Sequence, residues 1–212
     1  MFKKLLFLLP VVGLWAHVAQ ADTIGGESCG SCLGSTYTLT YNTTANPNVF
    51  DIFLTVDASG YSNGATDKLN AVAPKITSQS SNITSVNLVS PMPTGFSTTV
   101  FTGLNANGCA GGSNGYFCSE SSGLGLDVGG AGDVYTFHWK LTLVDPSDLF
   151  LDINEASIKA LYVDATGQQH GITSEEITLQ PGGSPVPEPS SLLLLGTGTF
   201  TLAALLRRKM FA

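Results

Sequence analysis

The stretch DVYTFHWKLTLVD, residues 133–145, decides the fold. Tyr135, Phe137, Trp139, Leu141 and Leu143 recur at every second position, with Thr136, His138, Lys140 and Thr142 between them. Successive side chains of an extended chain point to opposite faces, so this segment reads as a strand with one apolar and one polar side. The same alternation runs through STYTLTYN (residues 35–42), where Tyr37, Leu39 and Tyr41 share a face. It returns in VFDIFLTVDASG (residues 49–60), with Phe50, Ile52, Leu54 and Val56 inward and a turn at its Asp-Ala-Ser-Gly end.

Further strand-like stretches lie at residues 69–77, 83–90 and 96–104. Pro74 cannot donate to a ladder and predicts a sheet edge or a bulge for the first of them. ASIKALYVDATGQQHGITSEEITL (residues 156–179) reads as a β-hairpin turning through Asp164-Ala165-Thr166-Gly167, with a short helix over residues 155–161 as the local alternative. Residues 105–132 are rich in Gly and Ser and predict a long loop. Strands at short spacing with turn chemistry between them, 24 Gly and only 12% charged residues point to an all-β chain, an antiparallel β-sandwich of the jelly-roll-like kind. It is expected to span residues 22–180 and to be followed by a Pro/Gly/Ser tether over 181–189.

The N-terminus has the form of a secretory signal over residues 1–21: Lys3 and Lys4, then LLFLLPVVGLW, then Ala19-Gln20-Ala21 for the small-x-small cleavage rule. Of nine Lys and Arg, only Lys68, Lys75, Lys140 and Lys159 lie between the signal and the C-terminal tail. All 16 acids lie between Asp22 and Glu188, so the exported part carries −12. Nucleic acid is excluded as a partner, because it requires clustered cations. A solvated acidic surface is the expectation; no cofactor is expected, and calcium is the one metal that such a surface suggests.

Four cysteines fit an oxidising compartment. CAGGSNGYFC closes a small Gly-rich loop, which favours Cys109 with Cys118. Cys29 and Cys32 either pair locally or pair elsewhere. The context of Cys29 lacks the strand-to-helix setting of a thioredoxin-type motif, and the second pair is too widely spaced for a four-thiolate zinc site.

No catalytic centre is expected. Two G-x-S-x-G matches, around Ser28 and Ser113, lack the strand before and the helix after that a nucleophile elbow needs, and His138 and His170 read as surface residues. A hydrolase would require Ser28 or Ser113 beside His138 or His170. Glu175 and Glu176, adjacent on a strand, point apart and cannot share a glycosidic bond. A carbohydrate-binding or adhesive module is the alternative to a purely non-enzymatic surface protein. It needs exposed aromatic platforms, and Tyr61, Tyr116, Phe117 and Tyr162 are the residues expected to be exposed, with Trp139 in the core.

The tail reads VPEPSSLLLLGTGTFTLAALLRRKMFA from Val186. Its apolar run, residues 192–206, is shorter than the roughly 20 helical residues that a bilayer core demands, and a transmembrane segment is reached only by starting at Ser190, as 190–206. Arg207, Arg208 and Lys209 then form a basic stop that stays on the cytoplasmic side. Val186-Pro187-Glu188-Pro189, the Leu-rich run and these three cations together, residues 186–209, closely resemble the bacterial PEP-CTERM sorting domain. The resemblance implies export, transient anchoring in the inner membrane by a single C-terminal helix, and recognition by an exosortase, a membrane processing enzyme that cuts near Pro-Glu-Pro. It further implies a Gram-negative host that makes exopolysaccharide or biofilm, and a destination in the cell envelope, at the cell surface or in the extracellular matrix.

Overall fold

A computed structural model describes residues 23–25, 29, 31–90, 92–99, 101–112, 114–151 and 155–181. The strands are β1 (Thr23–Gly25), β2 (Thr36–Thr43), β3 (Val49–Asp57), β4 (Lys68–Lys75), β5 (Ile83–Val89), β6 (Phe96–Thr99) and β7 (Gly103–Asn105). They continue with β8 (Gly108–Gly111), β9 (Cys118–Ser121), β10 (Leu126–Asp127), β11 (Val134–Leu143), β12 (Ala156–Val163), β13 (Gln169–Ile177) and β14 (Gln180–Pro181). The first sheet has the order β1-β2-β3-β11-β5, with β14 parallel to β2. The second has the order β13-β12-β4-β9-β6, with β10 on β4, and β7 and β8 pair with each other.

The two sheets face each other across one apolar layer. Tyr37, Leu39, Ile52, Leu54, Val56, Phe137, Trp139 and Leu141 come from the first, and Leu69, Val72, Ile158, Ala160 and Tyr162 from the second. Trp139 is the hinge of this contact. It is fully buried, meets Phe117 edge-on at 5.2 Å between ring centroids, and donates its indole N–H to Ser119 Oγ of β9 at 2.7 Å. A buried Trp needs such a partner, because the alternative is a desolvated N–H.

β11 pairs along its length with β3, Val134 opposite Asp57 through Thr142 opposite Val49, and takes the face predicted for it. The sandwich expectation therefore holds. The C-terminal helix at 190–206 falls outside the described residues.

Two local expectations change, and one local alternative is set aside. Residues 105–132 are not one long loop but hold β8, β9 and β10, and β9 pairs with both β4 and β6. Its sequence, CSES, looks like a loop because its polar side chains have specific partners: Ser119 faces Trp139, and Glu120 caps a neighbouring turn. Residues 156–161 belong to strand β12 and not to a helix, since ladders with β13 and β4 on both sides outweigh the helical preference of Ala, Lys and Leu. Pro74 sits in a central strand rather than an edge one. It is tolerated because β9 covers only Ala71 and Val72, so the missing N–H lies past the end of that ladder, where the Pro74 carbonyl accepts the Phe117 N–H at 3.2 Å.

The hairpin turn forms as predicted. Asp164 accepts from the backbone N–H of Thr166 and of Gln168, and Gly167 takes φ +83°, which an L side chain rarely adopts. Two bulges flank it. Leu161 faces Ala71 while Tyr162 faces Leu69, which leaves Asn70 as an extra residue on β4. Tyr162 faces Gly171 while Val163 faces Gln169, which leaves His170 as an extra residue on β13.

Candidate functional site

The residues expected to carry function divide into those the structure describes and those it does not. Val186, Pro187, Glu188, Pro189, Arg207, Arg208, Lys209, Ala19 and Ala21 lie outside the described residues, as do Ser28 and Ser113. Among the described residues no helix is long and apolar enough to cross a membrane. The last described strand, β14, sets Gln180 beside Thr40 and Pro181 beside Tyr41. It therefore runs away from Tyr37 and from the β12–β13 turn.

Both cysteine pairs close locally. Cys109 joins Cys118 with Cα atoms 5.6 Å apart, and Cys29 joins Cys32 at 5.4 Å, both within the range of roughly 4.4–6.8 Å that a disulfide spans. The C-x-x-C loop is tied to β13. Ser31 donates from its backbone N and its Oγ to Glu175 Oε1, at 3.0 and 2.5 Å, and Thr173 Oγ1 donates to the Ser31 carbonyl at 2.9 Å.

A buried hydroxyl network lies beneath this loop. The Tyr37 hydroxyl meets that of Tyr162 at 2.6 Å and Thr173 Oγ1 at 3.2 Å, and the Tyr162 hydroxyl donates to Ser35 Oγ at 2.9 Å. Burial raises both tyrosine pKa values, well above the ordinary range for Tyr162. Tyr61, stacked on Tyr162 at 4.4 Å, donates to Asp67 Oδ2 at 2.6 Å, and burial with that hydrogen bond pushes its pKa up as well. Nearer the surface, desolvation with the charges of Asp133 and Asp127 pushes Tyr135 up to about 12.

The two histidines are structural ties on different sheets. His138, on β11, holds the Ser90 carbonyl at 3.1 Å and Asp51 Oδ1 at 2.9 Å and stacks on Phe53 at 4.2 Å. His170, at the β13 bulge, turns its Nδ1 to both oxygens of the buried Asp67, at 2.7 and 2.8 Å. A carboxylate holding an imidazole is also half of a catalytic triad, yet among the described residues no hydroxyl or thiol hydrogen-bonds to either ring.

The aromatic platform expectation is overturned. Phe117 and Tyr162 are fully buried, Tyr61 is buried, and Tyr116 is half-buried under the Lys159 ammonium, 4.9 Å from its ring centroid. These side chains fill the core or its cover, because two packed sheets with short loops draw large rings inward. The acids are dispersed: among the described residues no three of His, Cys, Asp and Glu group to hold a metal. Hydrogen bonds from the nearby Ser59, Ser147 and Thr166 hold Asp57, Asp145 and Asp164 below the usual carboxylate range.

Missed in the sequence is a cleft of about 600 Å³ on the outer side of the second sheet. Its walls are the β7–β8 tip at Asn107, the 121–124 segment and the β12–β13 turn at Gln168, over Leu161 and Val163.

No curated protein matches this chain. Among solved structures, a collagen-binding domain from a Staphylococcus aureus adhesin covers 68% of this chain and 96% of its own at 10% identity and a TM-score of 0.32, values too low to support any argument. The tail gives the informative match, to the model of the PEP-CTERM protein-sorting motif over residues 185–209. That motif implies export, transient membrane anchoring through the C-terminal region and recognition by an exosortase. The chain thus carries a PEP-CTERM protein-sorting motif at its C-terminus, and the β-sandwich precedes it.

Proposed function

We propose that this is a non-catalytic surface protein, delivered through an exosortase-type system to the cell envelope, cell surface or extracellular matrix of a Gram-negative, exopolysaccharide-producing bacterium. The observation that carries the proposal is the sorting motif at residues 185–209, which overlaps the end of the Pro/Gly/Ser tether. Glu188 between two prolines acts as a recognised feature and not as a catalyst. The non-catalytic part is supported by the use of both histidines as ties, His138 to Asp51 and His170 to Asp67. The acidic surface, nearly free of cations, suits a protein that must stay soluble outside the cell.

Replacing Glu188 with Ala in a host with exosortase tests it. The variant should accumulate at the higher, unprocessed mass in the membrane fraction, whereas unchanged release at unchanged mass would overturn the proposal.

A further inference from the structure

The outer face of the second sheet is built unlike an ordinary sandwich surface. Ala71 and Ala73 of β4 and Leu161 and Val163 of β12 form a second apolar cluster, covered by Leu104 and Cys109 of the β7–β8 hairpin. Where that cover stops, the cleft opens over Leu161 and Val163, which are themselves almost fully buried, with the exposed Leu124 at its edge. Its walls are amide-rich: Asn70, Asn107, Gln168 and Gln169, with one carboxylate, Glu120.

Each wall is held in place by its backbone. Asn70 is the extra residue of the β4 bulge and spends one N–H on the Gly123 carbonyl at 3.2 Å. Gln168 is fixed by the Asp164 turn, Gln169 pairs with Val163, and Asn107 is held by Asn105. Glu120 Oε2 accepts the Cys109 N–H at 3.0 Å, and Cys109, close to the tip of the hairpin, is itself bonded to Cys118. The side-chain amides of Asn107, Gln168 and Gln169 have no hydrogen-bond partner among the described residues. Bulges that re-aim side chains at a concavity, and rigid turns that present unused donors and acceptors, lower the ordering cost of binding.

The chemistry of the lining selects the ligand. No Lys, Arg or His lines the cleft, and the exported chain carries −12, so an anion is disfavoured. An amide offers a donor and an acceptor side by side, which matches the hydroxyl groups of a neutral polyol. The exposed Leu124 side chain suits the C–H face of such a molecule. We propose that this cleft binds a neutral oligosaccharide through the amides of Asn107, Gln168 and Gln169, without an aromatic platform. The proposal is independent of the sorting reading, since the cleft is the same whether or not the tail is cut.

Titrating the 15N-labelled mature protein with cellohexaose, maltohexaose and mannohexaose tests it, with tetragalacturonate and trilysine as acidic and cationic probes. At least one neutral oligomer should saturably shift the backbone amides of Asn107, Gly108 and Gln168. Gln168→Ala and Asn107→Ala should each weaken that binding about tenfold while core shifts stay unchanged. Absence of a saturable shift with all three neutral probes at millimolar concentration, shifts that map elsewhere, or binding of only the charged probes would each overturn the proposal.

Discussion

The outer faces of the two sheets differ, and the difference shows how a sandwich acquires a third layer. On the first sheet β3 alternates without a break, and its outer side presents Asp51, Phe53 and Thr55 beside Thr136, His138 and Lys140. On the second, β4 and β12 are apolar on both sides over Ala71 to Ala73 and Ala160 to Val163. A strand buried on both faces needs cover on both, and the disulfide-linked β7–β8 hairpin supplies it. The cleft lies beside that cover, over Leu161 and Val163.

The inner faces should be equally critical, so the largest effect is expected where the sheets meet. Trp139→Ala removes the ring packed on Phe117 and Phe137 and its hydrogen bond to Ser119, and should cost about 3–5 kcal/mol in denaturant unfolding. The contrast between outer faces comes next. Leu161→Ala should cost about 2–3 kcal/mol, whereas Lys140→Ala, exposed on the outer side of β11, should stay within about 0.5 kcal/mol. Equal costs for the two would break the comparison.

The cover can be tested on its own. Replacing Cys109 and Cys118 with Ser should destabilise by about 2–3 kcal/mol from loop entropy, and amide exchange should speed up first at residues 103–111 while β3 and β11 stay protected. Uniform acceleration would mean that the hairpin is integral to the main core rather than a layer over it.

The smallest effect is alkaline. Tyr37 and Tyr162 have raised folded pKa values, so the folded state keeps protons that the unfolded chain releases. Their contribution is complete below about pH 10 and is lost as pH rises from there toward the folded values. Tyr37→Phe should flatten that alkaline slope in pH-dependent melting. An unchanged slope would place the ionisation elsewhere.

Legibility in the sequence follows the same division. The first sheet was readable because its strands have one wet face, and β2, β3 and β11 therefore alternate visibly. The second was harder. Two-sided burial erases the alternation in β4 and β12, Pro74 suggested an edge or a bulge, and CSES hid β9 because its polar residues are paired rather than solvated. The sorting motif was legible because its recognition depends on contiguous residues, Pro187 to Pro189 and Arg207 to Lys209. The cleft was not, because Asn70, Asn107, Glu120 and Gln168 are distant in the chain and are brought together only by the bulges and turns.

Intact mass of the mature, non-reduced protein from a host with exosortase is the most direct test of a folded, disulfide-closed sandwich released from its sorting tail. The account predicts a single chain beginning at Asp22, ending near Pro187-Glu188-Pro189, with two internal disulfides. A mass that retains residues 190–212, or one that shows four free thiols, would contradict it.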